Sequence, residues 1–111
     1  MADRQSDLGA TFWNESLENV DREVARLATI CKVRILEPGV IERVVQGDES
    51  VCGSKNPPGF QKLRQALMMH YHVRDQAVGA LGQAQTTALV HQVVERLRAR
   101  FGDALGKAEL K

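Results

Sequence analysis

Histidines and cysteines are the side chains of this sequence that could hold a metal ion. Cys31, Cys52, His70 and His72 are zinc ligands in kind. The cysteines have no C-x-x-C spacing, and His91 is isolated from the other histidines. On a helix His70 and His72 would lie on opposite sides, although in an extended turn both could reach one ion. We therefore expect no metal and no cofactor.

Catalytic chemistry would need an activated nucleophile or a buried pair of carboxylates. Cys52 is the exposed candidate, but the neighbouring Asp48 and Glu49 should raise the pKa of its thiol and oppose its activation. Cys31 falls on an apolar stripe that is typical of a core position. The remaining carboxylates occupy ordinary surface positions of helices, and no pair of them is marked as buried. We expect a protein that is not an enzyme.

The bulk composition indicates one small domain with a helical core. The chain has 111 residues, of which 43% are hydrophobic and only 5% aromatic. The first residues, "MADRQSDLGATFW", lack a basic start followed by an apolar run, and no stretch approaches the roughly 20 apolar residues of a membrane span. We expect a cytoplasmic protein without membrane contact, in which both cysteines are reduced.

Apolar residues recur at spacings of three and four, which predicts an all-α fold of about five helices in a small orthogonal bundle. In the first helix Leu17, Val20 and Val24 form the apolar face, and Asp21 is placed on the outer side. A flexible tail over 1–13, a single domain over 14–102 and a tail over 103–111 are expected. The predicted helices cover about 15–33, 38–46, 58–71, 75–82 and 85–101, with Pro58 as the start of the third and Gly82 as the stop of the fourth.

Two segments leave other interpretations open. "CKVRILEPGVIERVV" is rich in β-branched residues, and a short hairpin there is the alternative to helix. The segment 47–59, "GDESVCGSKNPPG", has the composition of a loop. It lacks the G-x-x-x-x-G-K-[ST] pattern, and no strand precedes it, so it is not a phosphate loop.

Charge is divided unevenly between the two halves of the chain. Residues 1–52 contain six Lys and Arg against ten Asp and Glu, a net charge of −4, whereas residues 53–102 contain seven against two, a net charge of +5. A basic half can meet phosphate groups. Alternatively, the two halves attract each other within one fold or across a dimer.

The stretch 63–83 partly fits a helix-turn-helix, in which a second short helix enters the major groove of DNA. The packing of this motif requires apolar residues at five positions. With Val73 placed just after the turn, all five are apolar in this sequence. Met68 stands where a small residue is preferred, and His72 stands where the turn prefers glycine. The alternative is that the same apolar residues are the core of a helical hairpin. Besides Val73, these five apolar residues are Leu67, Tyr71, Val78 and Leu81.

On this register a recognition helix over 74–83 would present Arg74 and Gln76 to base edges, with Gly79 and Gln83 facing outward. The phosphate contacts would come from Lys62, Arg64, Arg98 and Arg100. "ALMMHYHVRDQAVGALGQA" resembles the motif of small bacterial regulators of the plasmid TrfB type and the fimbrial PapB type, over at most residues 36–101. The resemblance implies dimers that bind double-stranded operator DNA and regulate transcription.

The alternative function is a helical protein–protein interaction module, such as an adaptor, chaperone or inhibitor. Its contact surface would be the apolar stripe of the predicted helix 15–33 or 85–101, or the 47–59 loop. A chain of this length buries two broad apolar stripes better with a second copy, so a homodimer is expected under either function.

Overall fold

The structure is a computed structural model that describes residues 2–106, without the side chains of residues 2–8 and 103. Its elements are α1 (Ala2–Cys31), α2 (Val40–Val45), α3 (Pro57–Leu81) and α4 (Gln83–Phe101), with short 3₁₀ helices at Glu49–Val51 and Gly102–Leu105. The predicted all-α class is confirmed. No strand occurs over residues 2–106, so the alternative of a hairpin between Cys31 and Val45 is wrong.

Helix α1 is much longer than the helix predicted over 15–33. It begins at Ala2, so residues 2–13, which the sequence assigned to a flexible tail, are helical. Gly9 lies near Leu81 at the far end of α3, since a Cβ added at Gly9 would be 3.9 Å from Cδ2 of Leu81. Toward the other end of α1, Leu17, Ala28 and Cys31 are fully buried in the core.

Helix α3 is continuous where the sequence predicted two helices and a turn. Pro57 and Pro58 occupy its first turn, and the Asn56 side chain accepts a hydrogen bond from the backbone N–H of Gly59 at 3.1 Å. The helix then continues through His72 to Leu81. The predicted break between 71 and 75 is therefore wrong, and so is the helix-turn-helix over 63–83.

The inward face of α3 explains this continuity. Its positions follow alternating spacings of three and four residues without interruption. Five of the seven positions are apolar, and two in the middle are polar, which in the sequence resembles a break in the pattern. The seven residues are Phe60, Leu63, Leu67, His70, Arg74, Ala77 and Leu81.

The turn between α3 and α4 consists of Gly82 alone. Its φ of 89° and ψ of 162° lie in a region that is essentially restricted to glycine. The predicted helix stop at Gly82 is confirmed. Helix α4 then buries Leu89, Val93 and Leu97, so that four α-helices replace the predicted five.

Helices α1 and α3 lie side by side and antiparallel. Gly9 is next to Leu81, and Asp21 contacts His70, so twelve residues along α1 correspond to eleven along α3. The described chain measures 52 × 24 × 21 Å, which fits helices aligned along one axis. The α1–α3 pair is therefore antiparallel and not orthogonal, because the uninterrupted face of α3 packs along α1.

The segment after α1 and the end of the chain close one end of this bundle. Val33 and Ile35 are buried, and the backbone N–H of Leu36 donates to the carbonyl of Leu105 at 2.8 Å. Leu105 is itself buried, so the tail predicted over 103–111 includes a packed residue; positions 107–111 lie outside the described residues. Over residues 2–106 no helix has the length and apolar character needed to cross a membrane.

Candidate binding site

An apolar cavity of about 170 Å³ lies between α1, α3 and α4 and opens to solvent. The side chains of Ile35 and Ile41 border it where the segment before α2 meets the bundle. Most of the walls are aliphatic, which is the usual character of a small-molecule site with a few placed polar groups. The other aliphatic side chains that line the cavity are Val24, Ala25, Leu36, Leu67, Val90, Val94, Leu97 and Leu105.

One side of the cavity is formed by a hydrogen-bonded pair of polar side chains. Nδ1 of His70 on α3 lies 2.5 Å from Oδ1 of Asp21 on α1, and the side chains are only 13% and 10% exposed. A carboxylate can only accept, so Nδ1 of His70 donates its hydrogen and Nε2 is the ring nitrogen directed away from Asp21. This pair fixes the His70 ring at the cavity wall.

Arg74 and Tyr71 complete the polar part of the cavity. Arg74 lies one helical turn after His70 on the same face of α3, and both line the cavity. The Tyr71 ring stands edge-on to the His70 ring, with 5.4 Å between the ring centroids. Over the described residues the half-buried Arg74 forms no hydrogen bond or ion pair, so its guanidinium is free to bind a ligand.

The structure does not bring the predicted base-reading residues together. Arg74 and Gln76 are two positions apart in one continuous helix, which separates them by about 200° around its axis. Arg74 therefore lines the cavity while Gln76 is exposed on another side. Gly79 is exposed within α3, and Gln83 is exposed at the start of α4. Their contact with DNA stays a prediction, but a separate recognition helix over 74–83 does not exist.

Two of the predicted phosphate contacts are already engaged within the fold. Arg64 donates from Nη2 to the carbonyl of Val45 at 3.0 Å and so ties α3 to α2. Arg98 pairs with Glu95 at 3.1 Å on the same helix. Lys62 is exposed on α3. These cations therefore belong to three different local environments.

The acidic first half and the basic second half of the chain form ion pairs between α1 and its neighbours. Arg96 on α4 donates to Glu18 at 2.6 Å and to Asn14 at 2.8 Å. The hydrogen bond from Arg26 lowers the pKa of Glu23, and the charges of Arg26 and Lys62 add to this effect. The attraction within one fold that the sequence left open is thus present in the structure.

The two thiols are not activated. Burial raises the pKa of Cys31. Burial also raises the pKa of Cys52, with further contributions from the Cys31 thiol and then from the carboxylates of Glu49 and Asp48. The predicted direction of the Cys52 shift is therefore confirmed. Both cysteines are free, and neither lines the cavity.

The two histidines of α3 have different environments. His70 is bound to Asp21, whereas His72 is exposed, in keeping with the predicted divergence on a helix. Within the part of the chain that the structure describes, no three His, Cys, Asp or Glu side chains are grouped as metal ligands.

The buried carboxylate of the site was not predicted from the sequence. Asp21 was placed on the outer side of α1, but it is 7% exposed and lies on the buried face with Leu17 and Val24. The spacing contained a signal, since Asp21 follows Leu17 by four residues and precedes Val24 by three. A carboxylate at such a position needs a partner, and His70 supplies it.

Comparison with known protein families, with curated proteins and with solved structures found no match.

Proposed function

We propose that the protein is a non-catalytic helical binding module that holds an apolar group of its ligand in the cavity between α1, α3 and α4. This develops the interaction-module hypothesis from the sequence. The cavity is the observation that supports it. It measures about 170 Å³, opens to solvent and is lined mainly by aliphatic side chains with a few polar groups, which is the usual character of a small-molecule site.

The size of the cavity limits the group that it can hold. An engineered apolar cavity of about 150 Å³ binds benzene. A volume of about 170 Å³ therefore suits a single aromatic ring or a branched chain of about six carbon atoms. A larger ligand would have to extend through the opening, past His70, Tyr71 and Arg74.

DNA binding with transcription regulation, which the sequence favoured, is retained as a prediction without a helix-turn-helix to support it. The continuous α3 removes the recognition helix, and Arg64 and Arg98 are engaged by partners. If duplex DNA is nevertheless the partner, its affinity should fall steeply as salt rises. An electrophoretic mobility-shift titration of duplex DNA at low salt measures this directly.

A homodimer or a protein partner, both predicted from the sequence, could bind an exposed pair of methionines on α3. Met68 and Met69 are 52% and 51% exposed on α3, and flexible methionines suit contacts with other proteins. Sedimentation velocity over a range of protein concentrations measures self-association. We also retain the cytoplasm as the proposed compartment, which fits the free thiols of Cys31 and Cys52.

Toluene is a suitable neutral probe of the cavity. Its binding to the full chain can be measured by methyl NMR. We expect saturable shifts of the methyl groups of Val24, Leu67 and Val94, which line the cavity. Val94→Phe places a ring in the same space and should abolish these shifts. Ala99→Phe adds the same ring at an exposed position of α4 and should leave them intact.

Thermal unfolding of each variant checks that it remains folded. If Val94→Phe does not fold, Ala25→Val, which reduces the cavity by less, takes its place and should weaken the binding of toluene. The absence of saturable shifts in the unaltered protein, or equal shifts in the cavity variant and Ala99→Phe, would contradict the proposal.

A further inference from the structure

We propose that the ligand of this cavity is an anion: a small carboxylate whose compact apolar body, a ring or short chain, enters the cavity while its carboxylate binds Arg74. This inference rests on the proposed binding function and adds the chemical class of the ligand. It depends on Arg74, the only Lys or Arg among the described residues that line this mostly apolar cavity.

Arg74 has the geometry and the availability for this role. A guanidinium presents a planar pair of N–H groups that matches the two oxygens of a carboxylate. Other arginines of the described chain are already held: Arg64 by Val45, and Arg96 by Glu18. Over the same residues Arg74 forms no such contact, although it is half-buried beside the cavity.

The state of Asp21 argues against a cationic ligand. An amine would need a carboxylate that is accessible from the cavity, and Asp21 is the acidic residue that lines it. Its side chain is only 10% exposed, and Oδ1 is occupied by Nδ1 of His70 at 2.5 Å. The charged group that remains available is therefore the positive charge of Arg74.

A neutral hydrogen-bonding ligand is disfavoured because it leaves the charge of Arg74 unpaired. An alcohol could bind Nε2 of His70, but it would leave the guanidinium of Arg74 without an acidic partner in a partly dry site. A carboxylate satisfies Arg74 with one oxygen or both.

The size of the apolar part follows from the cavity. A phenyl ring fits a space of about 170 Å³, and one methylene group allows a carboxylate to reach the polar rim. Phenylacetate is therefore the anionic probe. Phenylacetamide has the same shape without charge, and phenethylamine replaces the anion by a cation.

Isothermal titration of the full chain with the three probes tests the ligand class. Phenylacetate should bind about ten times more tightly than phenylacetamide, because a charge-assisted bidentate contact is stronger than a neutral one. Phenethylamine should bind the most weakly. Arg74→Gln should remove the preference for phenylacetate and leave the affinity for phenylacetamide unchanged.

The matched control is Lys55→Gln, which removes one positive charge from an exposed loop residue that does not line the cavity. It should preserve the preference for phenylacetate. Equal affinity for phenylacetate and phenylacetamide, or a preference for phenethylamine, overturns the inference while the proposed binding function stands. If neither these probes nor toluene binds, both the inference and the proposed function are wrong.

Discussion

Nδ1 of His70 lies 2.5 Å from Oδ1 of Asp21, and this contact joins the middle of α3 to the middle of α1 across 49 residues of sequence. Both side chains are nearly buried, so neither can exchange its partner for bulk water at little cost. The pair therefore aligns the two helices and also forms a polar wall of the cavity. Its contributions to stability and to binding can be separated by mutation.

Removing either partner should destabilise the fold. Asp21→Ala leaves the His70 ring without its acceptor, and we expect a loss of about 1–3 kcal/mol in the free energy of unfolding. His70→Ala should cost at least as much, because it leaves a buried carboxylate. Urea unfolding followed by circular dichroism measures both values. Asp75→Ala removes an exposed carboxylate of α3 and should change stability by less than about 0.5 kcal/mol.

The double variant distinguishes a specific contact from two independent losses. Asp21→Ala combined with His70→Ala should cost less than the sum of the single changes, with a coupling energy of about 0.5–3 kcal/mol. Strict additivity of the two effects would show that the contact does not contribute to stability in solution.

Alanine substitutions at two exposed glycines, one within α3 and one at its end, should change the free energy of unfolding in opposite directions. Gly82 has a φ of 89°, and an added Cβ would meet nothing within 4 Å, so the cost of Gly82→Ala arises from the backbone alone. We expect about 1–3 kcal/mol of destabilisation. Gly79 is helical and equally open, so Gly79→Ala should stabilise by about 0.5–1 kcal/mol. Thermal unfolding of both variants gives the comparison; two shifts of the same sign would contradict the one-residue turn at Gly82.

Substitutions at His72 test the continuity of α3. In a turn with a left-handed backbone glycine would be favourable, whereas inside a helix His72→Gly should be less stable than His72→Ala by about 0.5–1 kcal/mol. His72→Pro should cost about 3 kcal/mol or more, because it removes a helical hydrogen bond. His72 is exposed, so His72→Ala is a control without lost packing and should be neutral or stabilising. Stabilisation by glycine, measured by urea unfolding, would restore the helix-turn-helix.

The predictable parts of the fold are those with a local chemical signal. Pro58 indicated the start of α3, and Gly82 indicated its end, since both residues restrict which backbone conformations are favourable. The helical class followed from apolar spacing. The length of α1 could not be predicted in this way, because the polar residues at its start lack an apolar period.

The candidate site was missed for a related physical reason. His70 and Arg74 occupy inward positions of α3, and Asp21 occupies one of α1, so each interrupts an apolar pattern that depends on regular hydrophobic residues. Whether such an interruption is a turn or a buried polar group depends on a partner distant in sequence. The 49 residues between Asp21 and His70 place that information outside any local window.

Cys52 should be a slow thiol at neutral pH. Its pKa is raised by burial, by the Cys31 thiol and by the nearby carboxylates of Glu49 and Asp48, so the reactive thiolate is scarcer than for an ordinary cysteine. In a Cys31→Ala background, which leaves Cys52 as the single thiol, alkylation by iodoacetamide should be slower at pH 7 than that of glutathione. The rate should still be rising at a pH above the ordinary thiol range, because the shift is upward. Glu49→Gln removes one acidic neighbour and should increase the rate at pH 7, whereas Glu15→Gln on α1 should not. A rate equal to that of glutathione, with no effect of Glu49→Gln, would show that Cys52 does not experience this environment.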